Sequence, residues 1–243
     1  MQYKTSFVLS IIGQFLVSFN VFLGILFMFS RFSQVEGFTY SQVLLCFGIV
    51  LMQFTIAECI FRGFDMFSSM IRLGEFDRVL VRPRNEMLQV LGSKFELTRI
   101  GRLLQAIVML VYGINHCDLN WSYLKVLTLI FMIIGGVALF SGIFIIYAGV
   151  CFYTVENLEF MNVFIDGARE YGKYPIGVYG KNLLRLCTFF VPYALVQYYP
   201  LLYLLDMRTQ WYYALVPLLA CWFLVPCILF WKVGVGRYQS TGS

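Results

Sequence analysis

Charge is what this sequence has least of. Only 13% of its 243 residues are Asp, Glu, Lys or Arg, where soluble domains carry about 25%. Hydrophobic residues make up 60% and the mean hydropathy is +0.77, so the chain reads as an integral membrane protein. Histidine occurs once, at His116, which excludes the two-histidine zinc motif of metalloproteases. No G-x-S-x-G nucleophile turn is present. Nor is there a G-x-x-x-x-G-K-[ST] phosphate loop: the nearest string, Gly177 to Asn182, lacks both its spacing and its hydroxyl. No cofactor and no metal is therefore expected on this chain. Cysteines number seven, an odd count without a Cys-x-x-Cys pair. That argues against a disulfide framework or zinc centre and for small apolar packing. No basic stretch interleaved with aromatics points to nucleic acid.

What is abundant is apolar sequence in runs that can cross a bilayer, for which about 20 residues suffice. Spans are expected at about 6–30, 41–61, 103–115, 123–153, 183–205 and 212–233. The fold class is all-α: one polytopic domain over 1–243 with six transmembrane helices. Pro192 and Pro200 interrupt the fifth span, Pro217 and Pro226 the sixth, and such prolines are tolerated only where protein or water satisfies the freed carbonyl. In the first span Ser10, Gly13, Val17, Asn20 and Gly24 recur at three- and four-residue steps. This small, polar stripe suits close helix contact, whether inside the chain, at a subunit interface or along a pathway. Gly135, Ala138, Gly142 and Gly149 line one face of the fourth span in the same way.

One polar stretch, 62–102, stands out between the apolar runs. It holds Arg62, Arg72, Arg78, Arg82, Arg84, Lys94, Arg99 and Arg102 against five acids. Three apolar groups recur in it at helical spacing: Phe67, Met70 and Ile71; Phe76, Val79 and Leu80; Met87, Leu88, Leu91 and Phe95. Gly74 separates the first two and Pro83 the last two. Three short amphipathic helices at a membrane surface are expected. A cytoplasmic N-terminus places these eight cations inside, with Lys4, with Arg169, Lys173, Lys181 and Arg185 of a second polar loop (154–182) and the foot of the fifth span, and with Lys232 and Arg237. Both termini are then cytoplasmic. Tyr40, Trp121, Tyr123, Tyr198, Tyr199, Trp211, Tyr212 and Tyr213 form the outer aromatic belt.

Gly74-Glu75-Phe76-Asp77-Arg78-Val79-Leu80-Val81-Arg82-Pro83, followed by Leu88-Gln89-Val90-Leu91, resembles the signature of a family of bacterial type-2 ABC exporter permeases. Val191-Pro192-Tyr193-Ala194, Tyr199-Pro200 and the tail from Trp231 to Ser243 with Arg237-Tyr238-Gln239 are similar to that family too, so the resemblance runs over essentially the whole chain. Many relatives carry a second proline soon after the Arg-Pro; here Arg84-Asn85-Glu86 stands instead. The resemblance implies a six-helix, non-catalytic subunit in the bacterial inner membrane, working with a second permease and a cytoplasmic ABC ATPase dimer that binds the ATP and magnesium. It implies that Glu75–Leu80 is the coupling helix on which the ATPase docks. Phe76, Val79 and Leu80 are then its buried anchors, and Glu75, Asp77, Arg78 and Arg82 polar contacts. The competing reading of these charges is a solvated face or a site for anionic lipid head groups. An amphipathic drug, peptide or lipid-like cargo suits the aromatic-rich spans. A channel or accessory scaffold that needs no ATPase is the alternative.

Glu58 is the one acid set within an apolar span, where an ionised carboxylate is costly unless paired. Arg99 and Arg102, at the foot of the third span, are expected at its depth, with Arg62 four residues along the same helix as the local alternative. Asn20 and Gln197 complete the set of candidate gate or pathway residues.

Overall fold

The computed structural model describes residues 4–117, 119–154, 167 and 170–240. Glu156, Glu159, Asp166 and Arg169 of the expected second loop lie outside the described residues. Five helices among those described are long and apolar enough to cross a membrane: Lys4–Arg31, Tyr40–Arg72, Leu97–His116, Tyr123–Val150 and Val216–Arg237.

The first long helix is α1 (Lys4–Arg31), and α2 (Tyr40–Asp65) follows a short turn. At the start of α2 the Thr39 amide donates to the Gln42 side-chain oxygen at 3.0 Å, one arm of a capping box. Helical geometry lapses at Phe61 (φ −95°, ψ 16°), where apolar sequence gives way to charge. Three short helices then follow, α3 (Phe67–Arg72), α4 (Glu75–Val81) and α5 (Glu86–Ser93), one for each apolar group in the sequence. Gly74 separates α3 from α4 with φ +66°, a left-handed position that suits glycine. Arg82 turns extended (φ −79°, ψ 137°) because the Pro83 ring disfavours helix before it. Asn85 caps α5 by accepting from the Leu88 amide at 3.2 Å.

A 3-10 turn at Leu97–Arg99 leads into α6 (Ile100–His116), and α7 (Tyr123–Val150) returns. The third span therefore begins several residues before the expected Leu103. At the centre of the bundle α2 is buried along most of its length. Its contact with α6 is close enough that a Cβ on Gly113 would stand 2.8 Å from the Leu45 Cα. On its other side the Gln53 amide donates to the Met132 carbonyl of α7 at 2.9 Å. By contrast α1 is peripheral, burying only Ser18 and Ile25.

The bundle has two distinct ends. At the distal end Tyr40 meets Phe29 at 5.7 Å and Tyr112 at 6.3 Å between ring centroids, and Lys125 Nζ lies 2.7 Å from Asp206 Oδ2. At the basal end Gly101 lies against Ile11 and Phe76 against Tyr238. Lys4 and Tyr238 thus share an end with α3–α5.

The region expected as the fifth span differs. Residues 183–205 form no single helix but α8 (Lys181–Phe189), α9 (Tyr193–Val196) and α10 (Tyr198–Leu204). Pro192, which has no amide to donate, falls at the turn after α8, and Gln197 (φ −114°, ψ −63°) breaks α9 from α10. The preceding residues are not at the basal end either. Lys173 lies beside Ser18 and Phe47, and the Tyr174 hydroxyl is 3.3 Å from the Met28 sulfur near the distal end of α1. Burial of Gln197 explains this placement. Its amide nitrogen donates to the carbonyls of Gly172 (3.2 Å) and Tyr174 (2.8 Å), and its oxygen accepts from the Ile176 amide at 3.1 Å. A fully buried amide with such partners fixes the chain more firmly than the charge on Lys173 does.

The last span joins α11 (Val216–Leu219), a 3-10 turn and α12 (Leu224–Arg237). It packs along α7, where Gly135 adjoins Pro217, Gly142 adjoins Phe223 and Cys227, and Gly149 adjoins Phe230. The small-residue face of the fourth span is therefore occupied within the chain.

Candidate functional site

Two groups of residues at the basal end carry the chemistry. The first joins the end of α2 to the start of α6. Glu58 is buried, 6% exposed, and its two oxygens take different arginines: Oε1 lies 3.0 Å from Arg99 Nη2 and Oε2 3.0 Å from Arg102 Nη1. Arg62 stands farther off, at 3.9 Å, and pairs instead with Asp65 and, through Nε at 3.4 Å, with Glu96. Arg102 also donates from Nε to the Gln14 oxygen at 2.7 Å, and the Glu96 amide donates to the Cys59 carbonyl at 3.2 Å. Helices α1, α2 and α6 are thus tied at one level by three acids, three arginines and a glutamine. Formal charges in that set cancel, which limits the penalty for taking them out of water. At its rim a hydrogen bond from the Thr98 hydroxyl, then the charges of Arg99 and Arg62, hold the Glu96 carboxyl below the ordinary carboxylate range against an opposing push from burial.

The second group surrounds α4. Phe76 is wholly buried in a knot of rings: Phe67 at 5.0 Å, Tyr238 at 5.1 Å, Phe152 at 5.5 Å and Trp231 at 6.3 Å between centroids. Asp77 accepts from the Ser240 hydroxyl at 2.7 Å. The Val79 carbonyl takes the Gln89 amide at 3.0 Å, which folds α5 back onto α4. The opposite side of α4 is open: Glu75, Arg78, Leu80 and Arg82 are exposed, and Val81 is 85% exposed. Beside it runs a groove of about 1000 Å³ lined by Val79, Arg82, Pro83, Arg84, Leu88 and Gln89, among others. The helix thus buries one ring on its inner side and leaves its outer side bare.

The family model for ABC-2 family transporter proteins matches residues 15–242. The chain belongs to that family. No curated protein sequence and no solved structure matches it. Membership makes this ABC-2 chain a multi-pass membrane component of a transporter, in a family whose members are generally non-catalytic themselves, and implies association with an ABC ATPase.

Within this ABC-2 framework the candidate residues fall in separate places. Glu58, Arg99 and Arg102 come together; Asn20 and Gln197 do not join them. Asn20 is exposed on α1, on the same outward face as Ser10, Gly13, Val17 and Gly24, and both glycines face open space. Gln197 holds its own hydrogen-bond hub beside Cys46, at 3.1 Å from the sulfur. The expected trio of anchors on α4 divides: Phe76 is buried in this chain, Val79 half-buried and Leu80 exposed. Spacing alone missed this because a ring pointing inward and a leucine pointing outward both sit at helical intervals. Gln14 was missed as Arg102's partner, although it and Asn20 are the amides within the first apolar run. Tyr238 and Trp231 belong to the site as well, and their signal was the family-like tail.

Proposed function

We propose that this chain is the membrane-spanning permease of an ATP-driven exporter in the bacterial plasma membrane, with α4 as the helix that receives an ABC ATPase dimer. The observation that carries this reading is the bare outer face of α4, with Arg78, Leu80, Val81 and Arg82 exposed beside a groove of about 1000 Å³. A buried anchor under an exposed apolar and basic handle suits a partner that applies force, and family membership supplies that partner's class. ATP and magnesium belong to the partner. The basal end is cytoplasmic on this reading, since the eight cations of the 62–102 segment lie there with Lys4, Lys232 and Arg237.

A second permease, a paralogue of this chain, completes the path in a complex of two permeases and two ATPases, with the open face of α1 as its contact and membrane lipids around it. Glu58, Arg99 and Arg102 form the basal gate, and the cargo is an amphipathic drug, peptide or lipid-like molecule. The test is co-purification from bacterial membranes under mild detergent. Leu80→Asp with Val81→Asp is expected to leave the permease in the membrane while releasing the ATPase. Retention of the ATPase in that variant overturns docking at α4, and a wild-type chain that never carries an ATPase overturns the permease reading.

A further inference from the structure

Nothing in the helical spacing of Glu75–Leu80 connects α4 to the end of the chain, yet the structure joins them. The last span runs down to Arg237, and the residues after it turn under α4 instead of leading away. Tyr238 presses its ring edge-on against Phe76 at 5.1 Å, 88° between planes, and against Phe152 at 6.0 Å. Two residues on, Ser240 donates to Asp77 at 2.7 Å. About two turns before Tyr238, Trp231 is fully buried with its ring 4.9 Å from Phe67, 5.0 Å from Phe152 and 5.2 Å from Phe64. The knot therefore receives rings from α2, α3, α4, the foot of α7 and both sides of the α12 terminus. Apart from the knot and the Ser240–Asp77 bond, the main helix neighbours of α4 are α3 and α5.

We propose that residues Tyr238–Ser240 are a strap that fastens the coupling helix to the last membrane span, so that α4 and α12 move as one body. Tyr238 is the positioning residue of this joint, acting on α12 through Phe76. This rests on the docking of an ATPase at α4 proposed above. The physical argument is one of stiffness. Edge-to-face ring pairs have a preferred geometry and resist sliding, and packed interiors transmit displacement because they have little free volume. Displacement of α4 by a partner must therefore displace Trp231, which sits on α12, and Tyr238 directly after it. Because α12 and α11 pack against α7 up to Gly135 and Pro217, the movement reaches the middle of the bundle along a second line, separate from the α2–α6 seam that holds Glu58.

Hydrogen exchange on the full complex with its ATPase, in lipid nanodiscs, tests the strap without knowledge of the cargo. Exchange is compared with and without Mg-ATP plus vanadate, in peptides from α4 and from α12. Wild type is expected to respond to nucleotide in both. Tyr238→Ala is expected to keep the ATPase and the response of α4 but to lose at least two-thirds of the response in α12. Tyr238→Phe, which keeps the ring, is expected to behave as wild type. Should the alanine variant be poorly extracted, Tyr238→Leu keeps the bulk and carries the same test. A wild-type response of α12 in the ring-less variants overturns the strap, and so does its loss in Tyr238→Phe. Release of the ATPase by Tyr238→Ala alone also overturns it, because the tail then serves docking itself. A wild-type chain without ATPase is a different failure, that of the underlying permease reading.

Discussion

Replacing Glu58 by Gln removes one carboxylate from between two arginines, and the structure sets the size of the effect. Both N–O contacts are 3.0 Å, and the side chains of Arg99 and Arg102 are 12% and 6% exposed. Breaking a buried pair from one side costs about 3–5 kcal/mol, mostly because the remaining charge stays buried. Here Arg102 keeps its bond to Gln14 and Arg99 keeps the nearby charge of Glu96. The lower end of the range, about 3 kcal/mol, is therefore expected, roughly a hundredfold in the folding equilibrium. Arg62→Gln is the informative control. Its side chain is 22% exposed, its partners Asp65 and Glu96 are 18% and 21% exposed, and its contact with Glu58 is long, at 3.9 Å, so about 1 kcal/mol or less is expected for each solvent-screened pair, and a total below the loss at Glu58. Equilibrium unfolding of the purified chain in mixed detergent micelles measures both, and ATP turnover of the assembled complex measures the consequence for coupling. Exchanging the two charges, Glu58→Arg with Arg102→Glu, should recover at least half of the lost stability and part of the turnover. The reasoning is refuted if Glu58→Gln unfolds within about 0.5 kcal/mol of wild type, or if Arg62→Gln costs as much.

Three further outcomes are expected. Phe76→Asp buries an unpaired carboxylate among four aromatic rings and should lower stability by about 3 kcal/mol or more, whereas Leu80→Asp on the open side should leave unfolding unchanged; equal losses in a detergent unfolding curve would contradict the buried-anchor geometry. Gly113→Ala forces a Cβ to within 2.8 Å of Leu45 backbone and should cost about 1–3 kcal/mol, while Gly24→Leu, facing open space, should leave the monomer intact and reduce the permease–permease mass seen by native mass spectrometry. Because Glu96 has a lowered carboxyl pKa in the folded chain, its stabilisation is complete above the ordinary carboxylate value and is lost as pH falls through the lowered one. Glu96→Gln should flatten that part of an acid-unfolding curve and leave the neutral-pH part alone.

Much of the architecture was legible in the pattern of residues. Long apolar runs located α1, α2, α7 and the last span, and Gly74 and Pro83 located the breaks between α3, α4 and α5, because these signals are local. The partners of Glu58 followed from depth alone: a carboxylate inside an apolar helix needs a cation at its own level, and the antiparallel return of α6 brings Arg99 and Arg102 there. The region after 170 was misread for a physical reason. Hydropathy counts the apolar length between Leu183 and Leu205 but not its interruptions, and a proline at a turn can end a helix as readily as kink it. Charge placed Lys173 at the wrong end because the rule averages over loops, while one buried amide, Gln197, decides where that turn lies. The ring knot under α4 was invisible for another reason. Its members are spread from Phe64 to Tyr238, and no period links residues so far apart.

That spread sets the order in which the basal end is built. Phe76 leaves the ribosome well before Trp231 and Tyr238, by roughly 8–30 s at synthesis rates of 5–20 residues per second. Through that interval its ring has only part of its socket, and α4 has no fixed orientation. The inner side of α4 is therefore packed only after Trp231 and Tyr238 have been added. A chain cut before Tyr238 is expected to hold Phe76, and with it α4, less firmly.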